Sequence, residues 1–423
     1  MYNTIKLDSG LKIVSCDMPE RQSAALGILI SVGARYENKN NNGISHFLEH
    51  LLFKGSRRFS CRQIKESIEG VGGSLNGFTS EEFTCYLVKI PSRRLNSALE
   101  VLSDMVLNPS LPLAEIQKEK AVILEEIKMY KDQPQSYIYD LLDTLLWPDQ
   151  ALGMPIIGNE GSVGRLTRKE LFSFKEKYYL PQNIIISAAG DIDFKRLTGN
   201  LESLFKSKNG TLVDACQNVR IKQKSPQIKL FYKETEQTHM ALGFHGLSRR
   251  HELRHALSIL HIILGANMSS RLFNELREKR GLAYEIGTHV KRFNDTGVFL
   301  VHAGIDNNKV KDGVRLILKE LEKIKKNKPG KSEFIRSREF YAGQLMLALE
   351  DTLDHMLWLG ETFISFNRIY SLKDIIKEVE KVTIEDVCYV ANQIFLEEKI
   401  NLALIGPLKD KEESEIYSNL HLD

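Results

Sequence analysis

Two pentapeptides, HFLEH at residues 46–50 and HELRH at residues 251–255, each set two histidines four residues apart with a glutamate between them. On a helix such a pair projects from one face, one turn apart, so both imidazoles can reach one divalent ion at about 2.0 to 2.1 Å. A glutamate beside the pair can then act as the general base that takes a proton from an attacking water. Each pentapeptide is therefore a candidate zinc site of a peptidase, and the two require different third ligands.

HELRH matches the pattern H-E-x-x-H literally, and His261 falls where the longer pattern H-E-x-x-H-x-x-G-x-x-H places a third histidine. The glycine of that pattern is replaced by Ser258, and HALSILHIILG continues as helix as far as Gly265. At about 100° per residue, His261 lies about 80° around the axis from His251 and about 120° from His255, so the three rings cannot converge. Arg254 also sets a cation beside the pair. The segment reads as the polar start of a helix, from His251 to Leu264, whose apolar face is Leu253, Leu257, Leu260 and Leu264.

HFLEH has the reverse order, H-x-x-E-H. Glu49 lies one residue before His50 and one turn after His46, where it can flank a metal without ligating it. Ile44, Phe47, Leu48, Leu51, Leu52 and Phe53 can bury the helix and keep the site partly dry. A third ligand has to come from elsewhere, leaving a fourth position open. The best source is the amphipathic segment from Leu113 to Asp132, with a core stripe of Ile116, Ile123, Ile127 and Tyr130. Glu119 and Glu126 share a shoulder about 60 to 80° from that stripe, whereas Glu125 points about 180° from Ile116, toward solvent. The pentapeptide alone leaves a pair of surface histidines as the alternative.

The elements that must position these groups recur in two halves. A helix over Gly43 to Phe53 is followed by a second opening with a capping box at Ser60 to Gln63, then strands over Gly72 to Ser80 and Phe83 to Ile90, then a helix over Ser92 to Leu107. The later half repeats the order: helices over His251 to Leu264 and Ser269 to Lys279, strands from Ala283 and over Gly297 to Ala303, and a helix over Lys309 to Ile324. Such recurrence indicates a duplicated domain. Between Lys206 and Pro226 the apolar periodicity lapses into a polar linker, which places the boundary at 214/215: an N-terminal metal-binding domain, 1–214, and a homologous domain without metal, 215–423. The expected fold class is α+β, each domain a largely antiparallel sheet packed with helices.

Composition sets bounds. The 423 residues are 42% hydrophobic and 27% charged, ordinary for a globular protein, and the net charge of +3 gives no reason to expect a nucleic-acid partner. The five scattered cysteines lack C-x-x-C spacing, which fits a reducing compartment and argues against a thiolate metal site. No leader-like N-terminus and no apolar run of about 20 residues is present, so the expectation is a cytoplasmic protein with no membrane partner.

Four ordered segments, GISHFLEHLLFKGS, GGSLNGFTSEEFTCY, EKAVILEEIKMYKDQP and SSRLFNELREKRGLAYEIGT, together resemble the pitrilysin/insulinase family of inverted-motif zinc peptidases. The likeness runs from about Leu7 past Val390 and is strongest to the short branch that includes mitochondrial processing peptidase and its bacterial relatives. It implies one zinc ion per chain held by His46, His50 and Glu126, with Glu49 as catalytic base and Glu119 as an acidic group orienting a ligand. It assigns Arg277 and Tyr284 to holding the substrate carbonyl. It also makes Asn76 and Gly77 part of an edge strand to which substrate backbone adds, although relatives commonly carry alanine in place of Gly77.

The resemblance implies a zinc metalloendopeptidase acting on peptides or unfolded polypeptide segments, in processing or degradation. Longer members join four such domains and draw the arginine and tyrosine from the fourth. A two-domain chain is therefore expected to take Arg277 and Tyr284 from a second chain, most simply as a homodimer, with a heterodimer as the other form. The alternative is a non-catalytic partner or structural subunit, but such members usually lose one of the metal-site residues, and all are intact here.

Overall fold

The computed structural model describes residues 1–205 and 216–422. The linker boundary expected at 214/215 lies outside the described residues. The chain forms two compact units, Met1–Met129 with Met154–Gln217 and Met346–Tyr370, and Tyr130–Gly153 with Asn218–Leu345 and Ser371–Asp423. Each unit thus contains one segment drawn from the other half of the sequence.

In the first unit, strands β1 (Tyr2–Lys6), β2 (Lys12–Asp17), β3 (Ser23–Ile30), β4 (Ser74–Thr79), β5 (Thr84–Pro91) and β6 (Ile184–Gly190) form one sheet in the order β1-β2-β6-β3-β5-β4. Only β2 and β6 pair in parallel. The sequence SAALGILI of β3 is apolar on both faces because both are covered. Ala24, Leu26, Ile28 and Ile30 join the main core with helices α1 (Ile44–Leu52), α2 (Cys61–Glu69), α3 (Leu95–Leu107) and α4 (Leu113–Asp132). Ala25 and Leu29 face the other way, against Met356, Leu359 and Phe363 of the helix Thr352–Phe366, the segment drawn from the later half. A Cβ on Gly27 would sit 2.5 Å from Met356 Sδ, so the missing side chain lets this helix lie close on the sheet.

The second unit repeats the plan. Strands β7 (Gln227–Tyr232), β8 (Gln237–Gly246), β9 (Ala283–Arg292), β10 (Gly297–Asp306) and β11 (Asn401–Gly406) are ordered β7-β11-β8-β10-β9, with only β7 and β11 parallel. One face packs the helices Arg254–Leu264, Val310–Lys326 and Ile384–Ile394. The other carries α5 (Pro134–Leu146), whose Ile138, Leu141, Leu142 and Leu146 meet Ala241, Leu300 and Ala403. This is the α+β arrangement of mostly antiparallel sheets with helices packed on them that the element order predicts. No helix among the described residues is long and apolar enough to cross a membrane.

Two elements depart from the expectation. The helix expected from His251 starts at Arg254, leaving His251 outside it. The helix expected over Ser269 to Lys279 contains a π-helical stretch, Phe273–Glu278, in which the Lys279 N–H donates to the Asn274 carbonyl at 3.0 Å.

Candidate metal centre

The helix carrying His46, Glu49 and His50 is fixed by its buried face and at its N-terminus. Ile44, Phe47, Leu48, Leu51 and Leu52 of α1 are buried, each contributing about 1.5–3 kcal/mol. Its N-cap is Gly43, at φ +91°, which has no side chain of its own to cap the orphan N–H groups. The buried carboxylate of Glu37 does so instead, accepting from the N–H of Gly43 at 2.7 Å and of Ser45 at 2.9 Å. A Cβ on Gly43 would lie 2.8 Å from the Ile157 carbonyl, so the position needs glycine for both its dihedral and its space.

Three ligand atoms converge from α1 and α4. His46 Nε2 lies 3.9 Å from Glu126 Oε2, and His50 Nε2 lies 3.7 Å from the same oxygen. One ligand atom from each of these residues falls within 4.8 Å of the other two, and no other such group of three occurs among the described residues. Tetrahedral ligation at about 2.0 to 2.1 Å separates ligand atoms by about 3.4 Å, so the two histidine–glutamate separations, at 3.9 and 3.7 Å, lie within a few tenths of an ångström of the spacing zinc requires, and all three atoms lie within 4.8 Å of one another. Glu126 Oε2 is buried and accepts no hydrogen bond, the mark of an acceptor aimed at a cation. Burial, with His50 beside it, pushes the His46 imidazole down to about 3, which keeps the ring in the neutral form that binds a metal. The residues present fit zinc.

Around this set the groups are ordered by charge. Glu49 is buried on the same helix, and burial pushes its carboxyl up to about 7; Glu126 adds to the shift, and His50 and Thr79 oppose it. Glu119 Oε2 lies 3.1 Å from His50 Nδ1, while Glu119 Oε1 accepts from Lys54 Nζ at 2.7 Å. Glu125, by contrast, points outward and pairs with Lys128 on the helix surface, as the wheel predicts.

The edge strand β4 runs beside Glu49. Its outer edge has no partner strand among the described residues, leaving backbone groups free for pairing. Asn76 Oδ1 accepts from the Gly77 N–H at 2.8 Å. A Cβ on Gly77 would come within 3.2 Å of Glu49 Oε1 and 3.0 Å of the Phe53 ring, so this backbone lies directly against the glutamate.

Arg277 and Tyr284 belong to the second unit. The Arg277 guanidinium stacks on the Tyr284 ring at 5.2 Å and on the Phe273 ring at 5.0 Å. Tyr284 is 78% exposed. Ala283 pairs with Ile305 and Glu285 with Gly304, so Tyr284 is the extra residue of a β-bulge, which re-aims its side chain. The π-helical stretch and the bulge together hold the pair on irregular backbone.

HELRH holds no metal geometry. His255 Nδ1 lies 3.2 Å from the Tyr341 hydroxyl and its Nε2 lies 3.2 Å from Glu378, so both ring nitrogens are committed. Arg254 pairs with the same Glu378. His251, outside the helix, accepts from the Leu253 N–H.

The sequence reading passed over Lys54, Glu37 and Thr79. Lys54 stands four residues after His50, a spacing that could have marked it as sharing that face. Glu37 precedes the helix by a loop and has no local signal.

Residues 12–160 match the family described as Insulinase (Peptidase family M16), and residues 165–341 match the Peptidase M16 inactive domain. The chain is 36% identical over 418 residues to an uncharacterized zinc protease of Streptomyces coelicolor, covering 97% of this chain and 91% of the relative. It is also 36% identical over 413 residues to the uncharacterized zinc protease YmxG of Bacillus subtilis, covering 96% and 98%. Among solved structures, a protease from Helicobacter pylori superposes with a TM-score of 0.91 at 24% identity, over 96% of this chain and 99% of that one. A peptidase M16 inactive domain from Pseudomonas fluorescens gives 0.89 at 19% identity, over 97% and 98%. At those identities the two structures speak to the fold, and the family rests on the sequence matches. The chain belongs to the insulinase family, peptidase family M16, as a member of its short two-domain branch.

Proposed function

We propose that the protein is a zinc-dependent endopeptidase that hydrolyses peptides or unfolded polypeptide segments. The observation that carries this reading is the convergence of His46 Nε2, His50 Nε2 and Glu126 Oε2 beside the buried carboxylate of Glu49. His46, His50 and Glu126 hold one zinc ion, which when bound polarises a carbonyl and makes water acidic enough to attack at neutral pH.

The chain's own groups supply the rest. The outer edge of β4 at Asn76 and Gly77 takes the substrate as an added strand, which replaces Asn76 Oδ1 at the Gly77 N–H, through backbone bonds that ask little of its sequence. Glu49 removes a proton from the attacking water as the new C–O bond forms. As the C–N bond breaks, Glu49 delivers that proton to the leaving amine, so the carboxylate is regenerated. Arg277 and Tyr284 offer a cation and a phenol to the oxygen that gains charge. They are supplied by a second copy of the chain, in a homodimer.

Glu49→Gln tests the assignment, because it keeps the shape and loses the base. Zinc content stays at one per chain, and peptide hydrolysis falls by about 10²-fold or more, within the usual range for a lost general base. Undiminished hydrolysis would remove Glu49 from the role.

A further inference from the structure

Lys54 follows the last residues of α1, its N–H donating to the Leu51 carbonyl at 3.0 Å. Its ammonium reaches Glu119 Oε1 at 2.7 Å, while Glu119 Oε2 lies 3.1 Å from His50 Nδ1. The lysine side chain is 27% exposed and the glutamate 8%, so this is a partly buried pair and not a solvated surface contact. An ammonium only donates, so Glu119 presents an acceptor to it on one side. The second oxygen then accepts from His50, which places the proton on Nδ1 and leaves the Nε2 lone pair directed at the Glu126 side of the site. Lys118, beside Glu119 in the sequence, is exposed and bonded to Glu115.

Charge balance supports the same role. Glu49, Glu119 and Glu126 bring three carboxylates to one pocket with two imidazoles. A divalent ion leaves that group one negative charge in excess when all three are ionised, and Lys54 supplies the matching positive charge. Gly55, at φ +132°, turns the chain immediately after Lys54.

We propose that Lys54 is a positioning residue of the metal centre: by fixing Glu119 it sets the His50 tautomer and raises affinity for zinc. This inference rests on His46, His50 and Glu126 being the ligands. The test measures zinc affinity of the full chain by competition with a chromophoric chelator, for the wild type, Lys54→Met, Lys54→Arg, Glu119→Gln, the Lys54→Met/Glu119→Gln double variant and His50→Ala. Lys54→Met weakens zinc binding about tenfold, the low end for loss of a group outside the ligand set. Lys54→Arg, which keeps the charge, stays within about threefold of wild type. In the Glu119→Gln background the Lys54 change costs nothing further, an outcome that general loosening of the fold does not produce. Lys54→Gln, paired with Glu119→Gln in the same way, replaces Lys54→Met should the latter not fold. Wild-type affinity in Lys54→Met, or an equal loss with and without Glu119, overturns the inference alone. Undiminished binding in His50→Ala overturns the ligand assignment beneath it.

Discussion

Single atoms decide most of the chemistry at this centre. One glutamate oxygen, Glu126 Oε2, is buried without a hydrogen bond and faces two imidazole nitrogens. That is an unfavourable arrangement for a carboxylate unless a cation joins it. A second single-atom effect is the missing Cβ of Gly77. Phe53, which an added methyl would touch, packs near the buried Tyr86 ring at 6.0 Å between centroids and has limited room to retreat. In Gly77→Ala the Glu49 carboxylate is therefore displaced by a few tenths of an ångström. Turnover falls about three- to tenfold with zinc content unchanged, because small misplacement of a reacting group costs rate without costing metal. Steady-state kinetics with parallel metal analysis checks this, and unchanged turnover would show that the carboxylate does not move.

At the level of elements, the sequence was most legible where one segment carries its own pattern. The inverted histidine motif, the capping box at Ser60 and Gln63, and the shoulder position of Glu126 on α4 all follow from helical periodicity, and each is present. Glu125 turns outward for the same reason. The π-helical stretch at Phe273–Glu278 and the bulge at Tyr284 were not legible, because each adds one residue to a regular pattern and hydrogen bonding decides where it falls. The late start of the helix after His251 depended on a loop whose own Leu253 N–H is taken by the His251 ring. Least visible were α5 and the helix Thr352–Phe366: their amphipathic faces are readable, but nothing local says which sheet they cover. Lys54 and Glu37 were missed for a related reason, since each acts across a turn on a group named by other arguments.

For the molecule as a whole, the question is whether one chain suffices. The zinc-site residues and the Arg277/Tyr284 pair lie in different compact units, and the proposed homodimer draws them from different copies. Mixing two inactive variants, Glu49→Gln and Arg277→Ala, then restores activity: random exchange makes half the dimers mixed, each with one intact site, for about a quarter of wild-type turnover. No recovery after subunit exchange would place both sets in one chain. Beneath this lies the metal itself. X-ray diffraction from crystals grown with zinc, recorded on either side of the zinc absorption edge, tests it most directly. One anomalous peak per chain is expected, enclosed by His46, His50 and Glu126. A zinc peak at His255, or none near α1, would contradict that assignment.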